Sequence, residues 1–125
     1  MTKKLEIYKC DSCGNMIEVI HASRGILICC DEPMSLLNEN VIDASNEKHI
    51  PVITKEDDKV TVSIGSIEHP MEEKHYIEWI ELITKDNVYK KYLSPNQKSV
   101  AEFKIEQEAL FAREFCNVHG LWSTK

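Results

Sequence analysis

The feature that most limits how this chain can fold is its set of cysteines. Four of the five cysteines lie within the first thirty residues, in the segments "KCDSCG" and "ICCDEP", and the fifth, Cys116, is far away. An odd number argues against a closed set of disulfides. Two cysteines separated by two residues can turn both sulfurs toward one ion, and four thiolates around one ion suit zinc or iron. The four predicted ligands are Cys10, Cys13, Cys29 and Cys30.

The adjacent pair, Cys29 and Cys30, leads to a prediction about the backbone. Neighbouring residues of a β-strand point to opposite faces, so the chain must leave strand geometry there if both sulfurs bind one ion. Gly14, directly after the first pair, suits a tight turn. We expect a distorted tetrahedron, and iron held by thiolates has a redox potential that responds to its surroundings. The spacing favours iron over structural zinc and leaves both metals open.

The first 37 residues are predicted to form a small metal-binding domain. Short strands are expected at "LEIY" and "IEVI", on either side of the first cysteine pair. A segment of fewer than roughly 40 residues buries too little apolar surface to fold without a metal or a partner. The polar segment "NENVIDASNEKH" (38–49) is typical of a linker that leads into a loop.

Residues 38–125 are predicted to form a small antiparallel β-sandwich. The segment "KVTVSIG" (59–65) alternates apolar with polar residues, as a half-buried strand does. The Ile, Tyr, Trp and Thr content of "HYIEWIELIT" (75–84) favours a long strand over a helix. Further strands are expected at "NVYKKYL" (87–93), "VAEFKI" (100–105) and "ALFAREFC" (109–116). About seven such strands indicate an immunoglobulin-like sandwich, so the whole chain is expected to be all-β.

Composition narrows the possible partners and location. The net charge is −6 and the chain has no run of Lys and Arg, which argues against nucleic-acid binding. No stretch approaches the roughly 20 apolar residues that cross a membrane. The start "MTKKLEIYKC" lacks the apolar core of a secretory signal, so we expect a cytoplasmic protein without membrane contact. An anionic substrate would need a local positive charge on so acidic a chain.

The histidines of the β-rich region, together with the fifth cysteine, indicate a second metal site. Imidazole suits iron, copper and zinc, and one added thiolate points toward redox chemistry. Five protein ligands would leave one position of an octahedron open for a reacting molecule. The predicted ligands are His49, His69, His75, Cys116 and His119.

These segments resemble a known family. "CDSCG" with the later "CC" is similar to the desulforedoxin-like domain. "EKH" (47–49), "HPMEEKHYIEWI" (69–80) and "CNVHGLW" (116–122) resemble the iron-site motifs of the superoxide reductases, also called desulfoferrodoxins. The resemblance covers essentially the full chain. It includes both ligand sets, which implies the two-iron class.

The resemblance implies a specific chemistry. Ferrous iron would lie in a square pyramid, with the four histidines as its base and Cys116 as its apex. Superoxide would be reduced to hydrogen peroxide at the open position opposite the sulfur. The resemblance gives Lys48 the role of attracting the anion, and Glu47 the role of binding the empty position after oxidation. It also implies that the four-cysteine iron is an accessory electron-transfer centre, that a small redox protein such as a rubredoxin donates electrons, and that the chain forms a homodimer.

Two other functions are compatible with parts of the pattern. A non-enzymatic electron carrier would need only the iron–thiolate domain on a β-sandwich. A zinc-stabilised interaction module would hold two zinc ions and show no redox response. The adjacent cysteines and the five-ligand set make both less favoured than the reductase.

Overall fold

The computed structural model describes residues 1–43 and 48–125, and these residues divide into two compact units, 1–38 and 39–125. Every regular element in the described residues is a β-strand, and the paired strands run antiparallel. The all-β prediction is therefore confirmed. Among the described residues, no helix has the length and apolar character needed to span a membrane.

The first unit contains five very short strands. They are β1 (Ile7–Lys9), β2 (Met16–Glu18), β3 (Ile28–Cys29), β4 (Glu32–Pro33) and β5 (Ser35–Leu36). Strands β2, β1 and β5 form one sheet in that order, and β3 pairs with β4. Its buried apolar side chains are few: Ile7, Cys10 and Val19. The backbone between the two cysteine pairs is thus organised with little apolar core.

The second unit is a two-sheet sandwich. Its strands are β6 (Pro51–Glu56), β7 (Lys59–Ile64), β8 (Ile77–Thr84), β9 (Val88–Tyr92), β10 (Val100–Lys104), β11 (Ala109–Cys116) and β12 (Gly120–Ser123). One sheet has the order β10-β7-β6 and the other the order β12-β11-β8-β9. The predicted immunoglobulin-like sandwich is confirmed, and the ambiguous segment around Trp79 is the long strand β8.

The core of the sandwich follows from the period-two pattern of its strands. Val60, Val62 and Ile64 of β7 are at most 1% exposed and face Ile80 and Leu82 of β8. Burial of each such side chain contributes about 1.5–3 kcal/mol to folding. This core lets the second unit fold around apolar contacts of its own.

Strand β8 is also buried on its other face, where it carries a charge. The Glu81 carboxylate is fully buried, and its Oε1 accepts a hydrogen bond of 2.5 Å from Nε of Arg113 on β11. Lys90 Nζ lies 3.2 Å from Glu81 Oε2, and Glu39 Oε1 lies 3.6 Å from Arg113 Nη1. Because buried charges are costly unless paired, this network holds β8, β9 and β11 in one register.

The ends of these strands define where a site can form. Pro51 of β6 pairs with Ile64 of β7, so the start of β6 lies beside the end of β7. Cys116 pairs with both Ile77 and Gly120, so the end of β11 lies beside the starts of β8 and β12. Loops from both sheets can therefore meet at one end of the sandwich.

Candidate metal centres

The four cysteines of the first unit form one cluster. Their sulfur atoms all lie within 4.8 Å of one another, with 3.6 Å between the sulfurs of Cys13 and Cys29. Cys30 has a φ of 53° and Asp31 a φ of 60°, so the chain leaves strand geometry at the adjacent pair, as predicted. Gly14 has a φ of 86°, which confirms the predicted tight turn.

Polar hydrogens around this cluster point at the sulfurs. The Cys13 N–H donates to Cys10 Sγ at 3.4 Å, and the Asn15 N–H donates to Cys13 Sγ at 3.4 Å. The Cys13 and Ser12 amides lower the pKa of Cys10 to about 7, against the effect of burial. The other sulfurs, Cys13 first, raise the pKa of Cys30 to about 12. Four thiolates this close repel one another, so a cation is needed to ionise all of them, and a thiolate-binding metal fits.

The second cluster lies at the end of the sandwich where loops of both sheets meet. His49 lies just before β6, separated from it by Ile50, and His69 and His75 lie in the loop from β7 to β8. Cys116 ends β11 and His119 lies in the turn before β12. One ligand atom from each residue lies within 4.8 Å of all the others. The structure therefore brings together all five residues that the sequence analysis assigned to this site.

The distances fit a single shared ion. The Nε2 atoms of His49 and His69 are 3.0 Å apart, which is about the separation of two nitrogens that bind one ion at right angles at ~2.1 Å. The Cys116 sulfur is 3.9 Å from Nδ1 of His119. Four imidazoles and one thiolate are a donor set that suits a redox-active metal such as iron.

The tautomer of His69 is fixed by its neighbour. Its Nδ1 lies 2.7 Å from the carbonyl oxygen of Pro70, and a carbonyl can only accept. Nδ1 therefore carries the proton and Nε2 is left with its lone pair, directed at His49 and the shared site. A hydrogen bond from the ring nitrogen that does not bind the metal orients the imidazole and raises the basicity of the other ring nitrogen.

Three further residues hold the loop that carries His49. Asp43 Oδ1 accepts hydrogen bonds from the backbone N–H of His49 at 2.6 Å and of Ile50 at 2.9 Å. The Trp122 ring stacks on the His49 ring, with centroids 4.5 Å apart and an interplanar angle of 13°. Gly65 has a φ of 79°, and a Cβ there would lie 2.3 Å from the Lys48 carbonyl oxygen. Only glycine permits this close approach.

Solvent reaches the five-residue cluster from one side. Cys116, His49 and His69 are at most 3% exposed, whereas His119 is exposed and His75 is half-buried. The sulfur thus lies on the core side of the cluster. A small molecule can approach from the histidine side without crossing the apolar core.

The comparisons with known proteins agree with this geometry. A family model described as desulfoferrodoxin matches residues 41–125, and one described as the desulfoferrodoxin N-terminal domain matches residues 2–37. The chain belongs to the desulfoferrodoxin family. The desulfoferrodoxin of Syntrophotalea carbinolica is 54% identical over 125 residues, which cover 100% of this chain and 99% of that protein.

Two more comparisons extend the desulfoferrodoxin assignment. A desulfoferrodoxin homolog of Archaeoglobus fulgidus is 49% identical over 124 residues, which cover 99% of each protein. The crystal structure of the superoxide reductase from Treponema pallidum matches with a TM-score of 0.83 at 30% identity, covering 99% of this chain and 100% of that one. The two clusters described above fit the two iron sites of desulfoferrodoxins.

The two residues predicted beside the metal ligands differ in whether the structure describes them, and the roles of both stay predictions. Lys48 is half-buried and directly precedes His49, so its backbone lies at the edge of the five-residue cluster. Glu47 lies outside the described residues, and its role stays a prediction.

Sequence reasoning did not identify several residues that support the five-residue cluster. Asp43, Gly65 and Trp122 belong to this group. Sequence reasoning also missed Glu114, which pairs with Trp122 in the sheet and whose buried carboxylate has a pKa raised by burial and by the charge of Asp43. The only sequence signal for them is their position close to a ligand or, for Glu114, a charged residue within an apolar strand.

Proposed function

We propose that this chain is a superoxide reductase, which adds one electron and two protons to superoxide to give hydrogen peroxide. The observation that supports this best is the convergence of four imidazoles and one thiolate at the end of the sandwich, reachable from the histidine side. The match to a structure named as a superoxide reductase over nearly the whole chain supports it further.

Iron bound by these five residues would supply the single electron that superoxide takes up. The residues themselves set the charge of the site and its access to water. Four neutral imidazoles and one thiolate leave a net charge of about +1 on a ferrous site, which favours an anionic substrate. The Cys116 sulfur is fully buried in the core, so water is excluded from its side, while the exposed His119 leaves a wet face from which protons can come.

Lys48 is proposed to guide superoxide to the site. A charge ~6 Å from an anion attracts it by about 3 kcal/mol at an effective dielectric constant of ~20, and salt reduces this attraction. Local fields of this kind commonly raise association rates by ~10- to 1,000-fold. On a chain with a net charge of −6, such a positive group near the site offsets the general repulsion of anions.

Glu47 is proposed to bind the open position after the iron has been oxidised. A carboxylate two residues before His49 is near enough in sequence to reach the site, and a ferric site is more positive than a ferrous one. Glu47→Ala should leave the rate of superoxide capture nearly unchanged but alter the visible spectrum of the oxidised protein. An identical oxidised spectrum would remove this role.

The four-cysteine centre is proposed to be an accessory electron-transfer site. Residues 1–37 would form this domain and residues 38–125 the reductase domain. Electrons would come from a redox protein, for which a small iron–sulfur donor such as a rubredoxin is the specific proposal. We further propose a homodimer, which would cover exposed strand edges, in the cytoplasm.

The deciding experiment follows superoxide and its products with purified, iron-loaded protein and an added reductant. One peroxide per superoxide, with no oxygen released, is the expected result. Oxygen release would mean dismutation instead. Unchanged redox function in His119→Ala and Cys116→Ser would mean an electron carrier, and a colourless protein with two zinc ions would mean a zinc-stabilised module.

A further inference from the structure

Asn117 lies between Cys116 and His119, and its side chain ties this segment to the loop that carries His75. Asn117 Oδ1 accepts a hydrogen bond of 2.9 Å from the backbone N–H of Tyr76. Its Nδ2 donates to the carbonyl oxygen of Lys74 at 3.0 Å. The Asn117 backbone N–H also donates to the carbonyl oxygen of Tyr76, at 3.2 Å. Asn117 thus makes three hydrogen bonds to Lys74 and Tyr76, the two residues on either side of His75 in the sequence.

The arrangement continues the ladder between β8 and β11 beyond its last regular pair. Cys116 pairs with Ile77, after a register shift that follows Phe115. At the next position the Asn117 side-chain amide takes the place of a peptide group, since it offers both an acceptor and a donor to the segment that leads into β8. Only Asn and Gln side chains carry a carboxamide, whose carbonyl oxygen and NH2 group resemble those of a peptide, and Asn is the shorter of the two.

The other side of His75 is also fixed through its backbone. The Glu72 N–H donates to the His75 carbonyl at 2.9 Å, and the His75 N–H donates to the Glu72 carbonyl at 3.1 Å. His75 is therefore held between a tight turn and the Asn117 amide. Its ring lies 5.1 Å from the His119 ring and 5.0 Å from the His69 ring, centroid to centroid.

We propose that Asn117 is a positioning residue for the five-ligand centre, fixing the His75 imidazole relative to the Cys116 sulfur. It touches neither the substrate nor the metal, and it acts through the Lys74 and Tyr76 backbone. These hydrogen bonds are exposed, so each contributes little to folding. Their main effect is on the geometry of the metal ligands. The inference rests on the proposed function only in taking His75 and Cys116 as ligands of one ion.

The test compares metal retention by the two centres within one protein. Wild type, Asn117→Ala and Asn117→Asp are prepared with iron in both centres and exposed to a competing chelator. The absorption band of each thiolate–iron centre is followed separately. Loss of a partner that orients a ligand typically weakens metal binding about 10- to 100-fold. We expect this weakening at the five-ligand centre of Asn117→Ala, with the four-cysteine centre unchanged.

Two variants make the result specific. Asn117→Asp keeps the acceptor for the Tyr76 N–H but places a second oxygen opposite the Lys74 carbonyl oxygen, so it should also weaken the five-ligand centre selectively. Asn87→Ala removes another turn asparagine, whose Nδ2 donates to Gln107 Oε1 at 3.0 Å beyond the far end of β8, and should leave both centres as in wild type.

Wild-type retention in Asn117→Ala, or equal loss from both centres, would overturn the proposal. If Asn117→Ala does not fold, Asn117→Asp decides alone: selective weakening of the five-ligand centre supports the proposal, and wild-type retention overturns it. The readout is metal retention and not turnover. A protein that binds iron at both centres but fails to reduce superoxide would therefore refute the proposed function and leave this test valid.

Discussion

The two units of this chain hold their ligands in opposite ways. In residues 1–38 the strands have two or three residues each, and large apolar side chains such as Ile20 and Ile26 are more than 70% exposed. In residues 39–125 the strands have four to eight residues and enclose a continuous apolar core. The cysteine cluster organises the first unit, whereas the sandwich organises the second cluster. One metal is a structural requirement, and the other is an addition to a fold that has its own core.

Removal of metal should give the largest difference between the units. Since a unit this small has little core, chelation should abolish the slow amide hydrogen exchange of residues 1–38. The sandwich should keep its protected amides in β7 and β8. Hydrogen exchange measured segment by segment tests this, and Cys13→Ser should reproduce the loss without a chelator. Protected amides in a metal-free first unit would contradict the comparison.

The buried ion pair gives the next largest effect, confined to the sandwich. Arg113→Ala leaves the fully buried Glu81 without its closest partner, which should cost about 3–5 kcal/mol of unfolding free energy. Replacing both residues by methionine should recover much of that loss. Denaturant unfolding is the measurement, and Lys59→Ala, which removes the exposed pair with Glu102, should cost only about 0–1 kcal/mol. A loss for Arg113→Ala no larger than that control would show that the buried ion pair adds little to the backbone pairing and packing of β8 and β11.

Gly65 connects the fold of the sandwich to its metal site, and its effect should be intermediate. In Gly65→Ala the new Cβ would strike the Lys48 carbonyl and the φ of 79° would be strained. Such strain costs about 1–3 kcal/mol. Superoxide reduction should also slow, because His49 follows Lys48. Gly120→Ala has a similar φ of 91°, but its Cβ would make only an ordinary contact of 3.9 Å with the Asn40 side chain, so an equal effect in both variants would exclude the clash as the cause.

Lys48 should give the smallest change, limited to kinetics. Lys48→Ala should slow superoxide capture by about tenfold at low salt and flatten its dependence on ionic strength, with stability unchanged. Stopped-flow or pulse-radiolysis rates at several salt concentrations measure this. Lys55→Ala removes the same charge from an exposed position near the far end of β6 and should have little effect. Equal rates for wild type and Lys48→Ala at low salt would reject the steering role.

The sequence predicted the ligands and strands well because their signals are local. Period-two alternation identified β7, and the adjacent cysteines required the departure from strand geometry that Cys30 shows. The spacing of the histidines and Cys116, together with the family resemblance, identified all five members of the second cluster.

Other features depend on contacts that one sequence does not reveal. The stacking of Trp122 on His49 and the hydrogen bond of Asn117 to Lys74 join segments far apart in the chain. The Asp43 carboxylate accepts from the His49 N–H nearby in sequence, but nothing in the residue types of this polar segment marks that contact. Strand β6 also lacks a clear alternation of exposure, since five of its six residues are at least partly exposed. Tertiary pairing with β7 decides its conformation, as is common for edge strands.

The five ligands lie beside strands of both sheets, and this affects how the sandwich unfolds. His49 and His69 flank strands of one sheet, whereas His75, Cys116 and His119 flank strands of the other. An ion held by all five is a cross-link between the two layers, in addition to the chain connection from β7 to β8 that carries His69 and His75. Separation of the layers must release the ion, so the free energy of metal binding adds to the resistance of the sandwich to opening.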